Sequence, residues 1–159
     1  MKTLILVRHA ETQPGYDMAD KDRELKMNGI KEAETMAKRL TEKNILPQII
    51  VSSHAKRTMQ TAETMAAVFG IESLKIKYLE SLYNASPSHI QDAISAIDDT
   101  YTSAMIVCHN FGITDFVNAL KSNTTFGMPT AGVAIFAIKT NCWKDFSESK
   151  NELILFDYP

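Results

Sequence analysis

The stretch Thr3-Leu4-Ile5-Leu6-Val7-Arg8-His9 sets a short, mostly aliphatic run directly before a cation and an imidazole. A run of this length is typical of a buried strand, and it is far too short for a signal-peptide core or a membrane span. In open parallel sheets, ligands gather at the carboxyl ends of the strands. We therefore predict a first strand over residues 3–8 that carries Arg8 and His9 to such an edge.

Further apolar runs of strand length alternate with segments of helical period along the whole chain. This alternation is typical of a sheet covered by helices on both faces. It predicts an α/β fold, a three-layer α/β/α sandwich with a mostly parallel central sheet, in which the last two strands can pair in either sense. The predicted strands are residues 3–8, 48–52, 74–79, 103–108, 132–138 and 152–157.

Four helices are predicted from apolar residues spaced three and four apart. Ser53 is predicted to cap the second helix with its hydroxyl, and Ser86-Pro87 places an N-cap and a first-turn proline at the start of the third. A turn-rich loop over residues 121–131 is expected after the fourth. The remaining start and stop signals are Asn28-Gly29 and Asn44 for the first helix, Gly70 for the second and Asn110 for the fourth.

Composition limits the classes of function that the chain can serve. Its 159 residues, 45% of them hydrophobic, suffice for one buried core but not for two, so residues 1–159 are predicted to form a single domain. The formal net charge of −2 excludes the broad basic field that attracts proteins to nucleic acid or to anionic membranes. Cys108 and Cys142 are expected to be reduced thiols in a cytoplasmic protein. Nothing in the sequence indicates the oligomeric state.

Polar residues follow four of the predicted strands, and the carboxyl ends of parallel strands share one edge of the sheet. Arg8 and Arg57, two of only four arginines, lie at this edge. Guanidinium forks and helix N-termini together suit a phosphoryl group, so the sequence predicts a phosphate pocket. The residues expected at this edge, in chain order, are Arg8, His9, Ser53, His54, Arg57, Glu80 and His109.

The predicted pocket has the groups that phosphoryl transfer requires. An imidazole beside a guanidinium is held uncharged, and its free ring nitrogen keeps a lone pair for in-line attack on phosphorus, which makes His9 the predicted nucleophile. Arg8, Arg57 and His109 can face the equatorial oxygens, where negative charge develops in the transition state. Glu80 is the candidate general acid toward the leaving group.

Two rival chemistries fit the residues poorly. A cysteine phosphatase needs an arginine close downstream of its nucleophile, but residues 109–115 after Cys108 read HNFGITD. A histidine-ligated metal enzyme would show spaced ligands such as H-E-x-x-H, whereas the four histidines are scattered and His9 adjoins a cation. We therefore expect no metal and no other cofactor.

Three blocks of the sequence resemble the signatures of a known family. Residues 6–12 (LVRHAET) are similar to the RHG/RHA signature of the histidine phosphatase, or phosphoglycerate mutase-like, superfamily. Residues 52–62 (SSHAKRTMQTA) resemble its second signature, and residues 106–110 (IVCHN) resemble the block around its second catalytic histidine. The short chain and residues 23–29 (RELKMNG) and 82–85 (LYNA) are most similar to the SixA-type phosphohistidine phosphatases.

The resemblance implies a phosphoglycerate mutase-like fold, a covalent phosphohistidine on His9 and phosphate clamping by Arg8, Arg57 and His109 without a metal. A chain this short has little room for a roof over the site, which favours phosphohistidine on a partner protein as the substrate. A phosphatase of small phosphate monoesters stays open as an alternative. So does a phosphate-recognition module without turnover.

Other polar residues of the sequence have simpler interpretations. His54 is expected at most to contact the rim of the phosphate site, and His89 is expected to be solvated. The runs at residues 21–26 and 38–43 mix both signs of charge, a pattern typical of exposed faces.

Overall fold

A six-stranded sheet forms the centre of the molecule in the computed structural model, which describes residues 1–121 and 127–159. The predicted loop at residues 121–131 therefore lies partly outside the described residues. In sequence order the strands are β1 (Lys2–Arg8), β2 (Ile49–Ser53), β3 (Ile76–Leu79), β4 (Ser103–Cys108), β5 (Val133–Ile138) and β6 (Asn151–Asp157).

The helices connect these strands and flank the sheet. They are α1 (Met27–Glu42), α2 (Lys56–Phe69), α3 (Pro87–Ser95) and α4 (Gly112–Leu120). Short 3₁₀ helices cover Asp20–Asp22, Ser73–Lys75, Glu80–Leu82 and Trp143–Asp145. None of the helices in the described part of the chain combines the length and the apolar character needed to cross a membrane.

The strand order is β3-β2-β4-β1-β5-β6, and it confirms the prediction of a mostly parallel sheet. β1 pairs in parallel with β4, and β2 pairs in parallel with both β4 and β3. β5 runs antiparallel to β1 and to β6, which settles the sense in which the last two strands pair. The connection from β5 to β6 holds a 3₁₀ turn and no crossover helix, as antiparallel neighbours allow.

Two apolar layers enclose the sheet and give the predicted three-layer α/β/α arrangement. In β1, Leu4 and Leu6 pack into the layer that holds the buried residues of α3 and α4. Ile5 and Val7 pack into the opposite layer, with the buried residues of α1 and α2. Because both faces of β1 are covered, its polar functional groups are confined to its carboxyl end.

The helix boundaries follow most of the sequence signals, with two corrections. The first helix does not follow Asn28-Gly29, because α1 begins at Met27 and contains both residues in its first turn. Ser86 caps α3 and Pro87 is its first residue, as predicted. Ser53 is not the N-cap of α2, because that position belongs to Ala55 and the helix begins only at Lys56. The Ser53 hydroxyl instead accepts a hydrogen bond from the Ala55 amide at 3.3 Å, and it also lies within hydrogen-bond distance of His109, which follows the neighbouring strand β4.

Gly112 marks the point where α4 approaches the segment before α3. A Cβ added at Gly112 would overlap the carbonyl oxygen of Ala85, a backbone atom with little freedom to retreat. We expect Gly112→Ala to lower the free energy of unfolding by about 2–3 kcal/mol, the upper range for overpacking, in a urea titration. Gly127→Ala is the matched control because no atom of the described residues lies within 4 Å of an added Cβ there. Equal stability of both variants would contradict the tight approach.

Candidate active site

A cavity of about 540 Å³ lies at the carboxyl ends of β1 and β4, and it collects the predicted phosphate-binding residues. Arg8, His9, Arg57 and His109 all line it. Glu80 does not: it is exposed in a 3₁₀ helix after β3 and lies outside the lining. The other lining residues are Glu11, Thr12, Asp20, Arg23, Asn84, Asn110, Phe111 and Thr130.

His9 is held in place by the backbone on both sides of β1. Its amide donates to the Cys108 carbonyl at 3.1 Å, and its own carbonyl accepts the Ala131 amide at 3.1 Å. The ring nitrogen Nδ1 lies 2.8 Å from the carbonyl oxygen of Ala10. A carbonyl oxygen can only accept, so Nδ1 carries the proton and Nε2 keeps the lone pair.

The charge state of His9 follows from its surroundings. The side chain is 9% exposed, and burial lowers the pKa of His9 to about 4, with the positive charges of Arg57, Arg8 and Arg23 acting in the same direction. The hydrogen bond to Ala10 opposes this shift without reversing it. His9 is therefore a neutral imidazole at pH 7, with Nε2 available as a nucleophile.

His109 faces the same cavity from the end of β4. Its ring centroid lies 5.5 Å from that of His9, and its Nε2 lies 2.8 Å from the Ser53 hydroxyl oxygen. Burial and the charge of Arg57 lower the pKa of His109 to about 3. The ring is therefore also uncharged at pH 7.

The second nitrogen of His109, Nδ1, is buried and has no hydrogen-bond partner among the described residues. The Ser53 hydroxyl accepts a hydrogen bond from the Ala55 amide, so its own proton can be donated to His109 Nε2. The one proton of the neutral ring is then on Nδ1. A buried donor without a partner costs about 1–3 kcal/mol. An anion in the cavity would supply the missing acceptor.

The structure brings three arginines to the cavity where the sequence indicated two. Arg8 donates from Nη1 to the Met128 carbonyl at 2.8 Å, while its buried Nε has no partner within residues 1–121 and 127–159. Arg57 lies in the first turn of α2 and is 5% exposed. Arg23 is the additional cation, and it donates from Nη2 to the Thr12 hydroxyl at 2.7 Å. Its place as the single arginine in the run at residues 21–26 was the available signal.

Asp20 is a second cavity residue that sequence reasoning missed. Arg57 donates from Nη1 to the Asp20 carbonyl at 2.7 Å and from Nη2 to the Asp20 carboxylate at 2.9 Å. The Tyr83 hydroxyl donates to the same carboxylate at 2.7 Å. The hydrogen bond from Tyr83 and the charge and hydrogen bond of Arg57 lower the pKa of Asp20 to about 2. No sequence motif around Asp20 predicts these contacts, which form only in the folded chain.

The other candidate side chains lie outside the lining of the cavity. The His54 ring packs edge-on against Tyr83, with a centroid distance of 5.5 Å. His89 is exposed, and its ring accepts the Ser86 amide at the start of α3. Cys108 is fully buried, and burial raises the pKa of its thiol to about 12, so it stays protonated at pH 7. Within residues 1–121 and 127–159, no cluster of three or more His, Cys, Asp or Glu side chains could hold a metal ion.

Comparison with known proteins gives consistent matches. The family model of the histidine phosphatase superfamily (branch 1) matches residues 4–105. An uncharacterized chloroplastic protein of Arabidopsis thaliana is 30% identical over 154 residues, which are 91% of this chain and 70% of that protein. An uncharacterized protein of Mycobacterium leprae is 28% identical over 96% of this chain and 99% of its own length.

Solved structures match over nearly the whole chain. A protein assigned as the phosphohistidine phosphatase SixA of Agrobacterium tumefaciens is 28% identical, with a TM-score of 0.83 over 99% of this chain and 98% of its own. The protein histidine phosphatase SixA in complex with tungstate is 17% identical, with a TM-score of 0.83 over 98% and 96% of the two chains. At that identity, the second match supports the fold alone.

The two buried imidazoles predict a pH dependence of stability. Their folded pKa values lie below the unfolded value of about 6.5, so unfolding takes up protons as the pH falls below that value and stability is lost. Between pH 7 and 5 we expect the free energy of unfolding to fall by about 1–2 kcal/mol for each buried histidine. Asp20 stays ionised in this window because its pKa is about 2.

Urea titrations at both pH values measure this loss. His9→Gln should lose about 1–2 kcal/mol less than the wild type between pH 7 and 5. His89→Gln, which removes an exposed imidazole outside the cavity, is the matched control. A wild type whose stability is flat across the window, or greater at pH 5, would contradict the assignment of neutral rings.

Proposed function

Because the chain belongs to the histidine phosphatase superfamily and is a phosphatase, we propose that it moves a phosphoryl group from its substrate to His9 and then to water. The observation that carries this proposal is the hydrogen bond from His9 Nδ1–H to the Ala10 carbonyl. It leaves the lone pair of Nε2 as the single nucleophilic position of the ring. Burial of the ring, together with the cations beside it, lowers the pKa of His9 and keeps that lone pair unprotonated at pH 7.

Charge on the transferred group is balanced from several sides in this mechanism. Arg8 and Arg57 supply guanidinium donors, and His109 supplies its unpaired Nδ1–H. These groups face the equatorial oxygens of the phosphoryl group, where negative charge spreads in the transition state. The two buried rings and Arg57 are fixed before substrate arrives, so little reorganisation is needed at the moment of reaction.

The reaction consists of two in-line displacements. In the first, a bond forms between phosphorus and His9 Nε2 while the bond to the leaving group breaks, and the ring, still protonated at Nδ1, becomes a phosphorylated imidazolium. In the second, water attacks phosphorus, the nitrogen–phosphorus bond breaks, and the electron pair returns to Nε2. The two hydrogens of the water leave on the released dihydrogen phosphate, and the neutral ring is restored.

The carboxylates of the cavity favour phosphohistidine as the substrate. Asp20 has a pKa of about 2, and Glu11 is held ionised by Lys26 and Asn28, which lower its pKa. Neither is a ready proton donor at pH 7, and Glu80 lies outside the cavity. An alkoxide leaving group needs a proton. A phosphorylated imidazole protonated on its other nitrogen departs as a neutral ring and needs none.

The mouth of the cavity favours a protein as the carrier of that phosphohistidine. Phe111 lines the cavity, yet its side chain is 78% exposed. In the proposed function, this ring contacts the surface of the partner protein that carries the phosphohistidine. The similarity to the SixA protein of Agrobacterium tumefaciens supports the same substrate class.

The nucleophile is tested by trapping the covalent intermediate. Incubation with ³²P-labelled phosphoramidate and a rapid alkaline quench should leave a label on the wild type that is stable in alkali and lost in acid, the signature of a nitrogen–phosphorus bond. His9→Ala should carry no label. His89→Ala, the matched exposed histidine, should label as the wild type does.

Labelling of His9→Ala, or an alkali-labile label on the wild type, would overturn the mechanism. Phosphate binding without label or turnover would favour the recognition module instead. Activity lost to a chelator and restored by a divalent metal would also count against it. A panel of histidine-phosphorylated protein and small phosphate monoesters separates the two classes of substrate.

The clamp is tested by Arg57→Lys. Lysine keeps the charge but loses the planar fork, so we expect kcat/KM to fall roughly 100-fold to 1,000-fold, the usual effect of losing a transition-state donor. Arg39→Lys is the matched control, because Arg39 pairs with Asp157 away from the cavity. Loss of activity to the same extent in both variants would contradict a specific role for Arg57.

A further inference from the structure

Asp20 lies between the buried clamp and the solvent. Arg57 is 5% exposed, whereas the side chain of its partner Asp20 is 47% exposed. Both residues line the cavity together with His9, which is 9% exposed. An in-line transfer to a buried nucleophile directs the leaving group away from it, toward the open side. Asp20 is exposed in the same cavity, so we place the leaving group on the side of its carboxylate.

The contacts of Asp20 fix two of the three cavity arginines. Its carbonyl and its Oδ2 accept from the two terminal nitrogens of Arg57, at 2.7 and 2.9 Å. Its Oδ1 accepts from Arg23 Nη1 at 3.2 Å. A guanidinium has five N–H donors, and these contacts with Asp20 use two of those of Arg57. Asp20 thus orients the fork without consuming all of its donors.

Resting on the function proposed above, we propose that Asp20 is a positioning and charge-selecting residue of this site. It orients Arg57 and Arg23, and its fixed negative charge disfavours phosphoryl compounds whose leaving group carries a second anion. Compounds with a neutral or cationic leaving group, such as a protonated imidazole, are accepted.

Electrostatics gives the expected size of the selection. Two unit charges separated by about 6 Å change binding roughly threefold to tenfold at effective dielectric constants of about 80 to about 40, as for a half-exposed carboxylate. The arginine charges are the same with Asp20 or Asn at position 20, so they cancel when the two variants are compared. The charge of Asp20 repels an anionic leaving group and attracts a cationic one.

A series of three short phosphate monoesters tests this property. Phosphoethanolamine carries an ammonium group, ethyl phosphate has no second charge, and phosphoglycolate carries a carboxylate. Their dissociation constants are measured by calorimetry in the His9→Ala background, where the proposed covalent step is absent, with Asp20 intact and with Asp20→Asn. Relative to ethyl phosphate, we expect Asp20→Asn to tighten phosphoglycolate roughly threefold to tenfold and to weaken phosphoethanolamine by a similar factor.

Asp22→Asn is the matched control. Asp22 lies in the same 3₁₀ helix, is exposed and is absent from the cavity lining, so the net charge changes equally but the local charge does not. Asp22→Asn should leave the ratios among the three dissociation constants within about twofold of the values measured with Asp22 intact. An equal effect of Asp20→Asn on all three ligands, or the same shift from Asp22→Asn, would overturn charge selection.

The positioning role is read from turnover in the otherwise native chain. Asp20→Ala should lower kcat with phosphoramidate, and Asp20→Asn, which retains a side-chain acceptor, should restore part of it. Equal kcat values for Asp20→Ala and wild type would overturn positioning.

Failure of the mechanism and failure of this inference are distinguishable. If the wild type shows no acid-labile label but Asp20→Asn changes the three dissociation constants as expected, the proposed mechanism is wrong and the site is still a charge-selective phosphate site. If the wild type carries the label but Asp20→Asn affects all three ligands equally, the mechanism stands and charge selection by Asp20 is wrong.

Discussion

The hydrogen bond between His9 Nδ1–H and the Ala10 carbonyl is the constraint on which the chemistry of this protein depends. It fixes the tautomer, and with it the ring nitrogen that can act as a nucleophile. The backbone on which this bond depends is held by β4 through the Cys108 carbonyl and by the Ala131 amide just before β5. The His9 ring therefore owes its tautomer to the backbone of the sheet, and not to a neighbouring acidic or basic side chain.

Parallel pairing explains why the reactive groups meet. Arg8 pairs in register with Cys108, so the residues that follow them, His9 and His109, leave adjacent strands at the same level. Ser53, at the end of β2, reaches His109 because β2 is the other neighbour of β4. Three strands thus contribute one continuous set of polar groups to an otherwise apolar sheet.

Positive and negative groups are balanced locally in a chain whose formal net charge is only −2. Three guanidinium groups line the cavity, and the carboxylates of Asp20 and Glu11 line it as well. Burial and the arginines keep both imidazoles neutral, while hydrogen bonds keep Asp20 ionised. The result is an anion site with a charged rim, suited to distinguishing phosphoryl compounds by the group attached to them.

The sequence by itself determined the strands, the helices and the meeting of Arg8, His9, Arg57 and His109, because apolar period and the shared edge of parallel strands are local rules. Only the tertiary structure decided the antiparallel pairing of β5 with its neighbours, the partners of Ser53 and the place of Glu80 outside the cavity. Only the tertiary structure placed Asp20 and Arg23 in the cavity, since both lie in a charged segment whose apolar residues show no period. Such a segment is placed by long-range contacts with Arg57 and Tyr83, which leave no trace in the spacing of nearby residues.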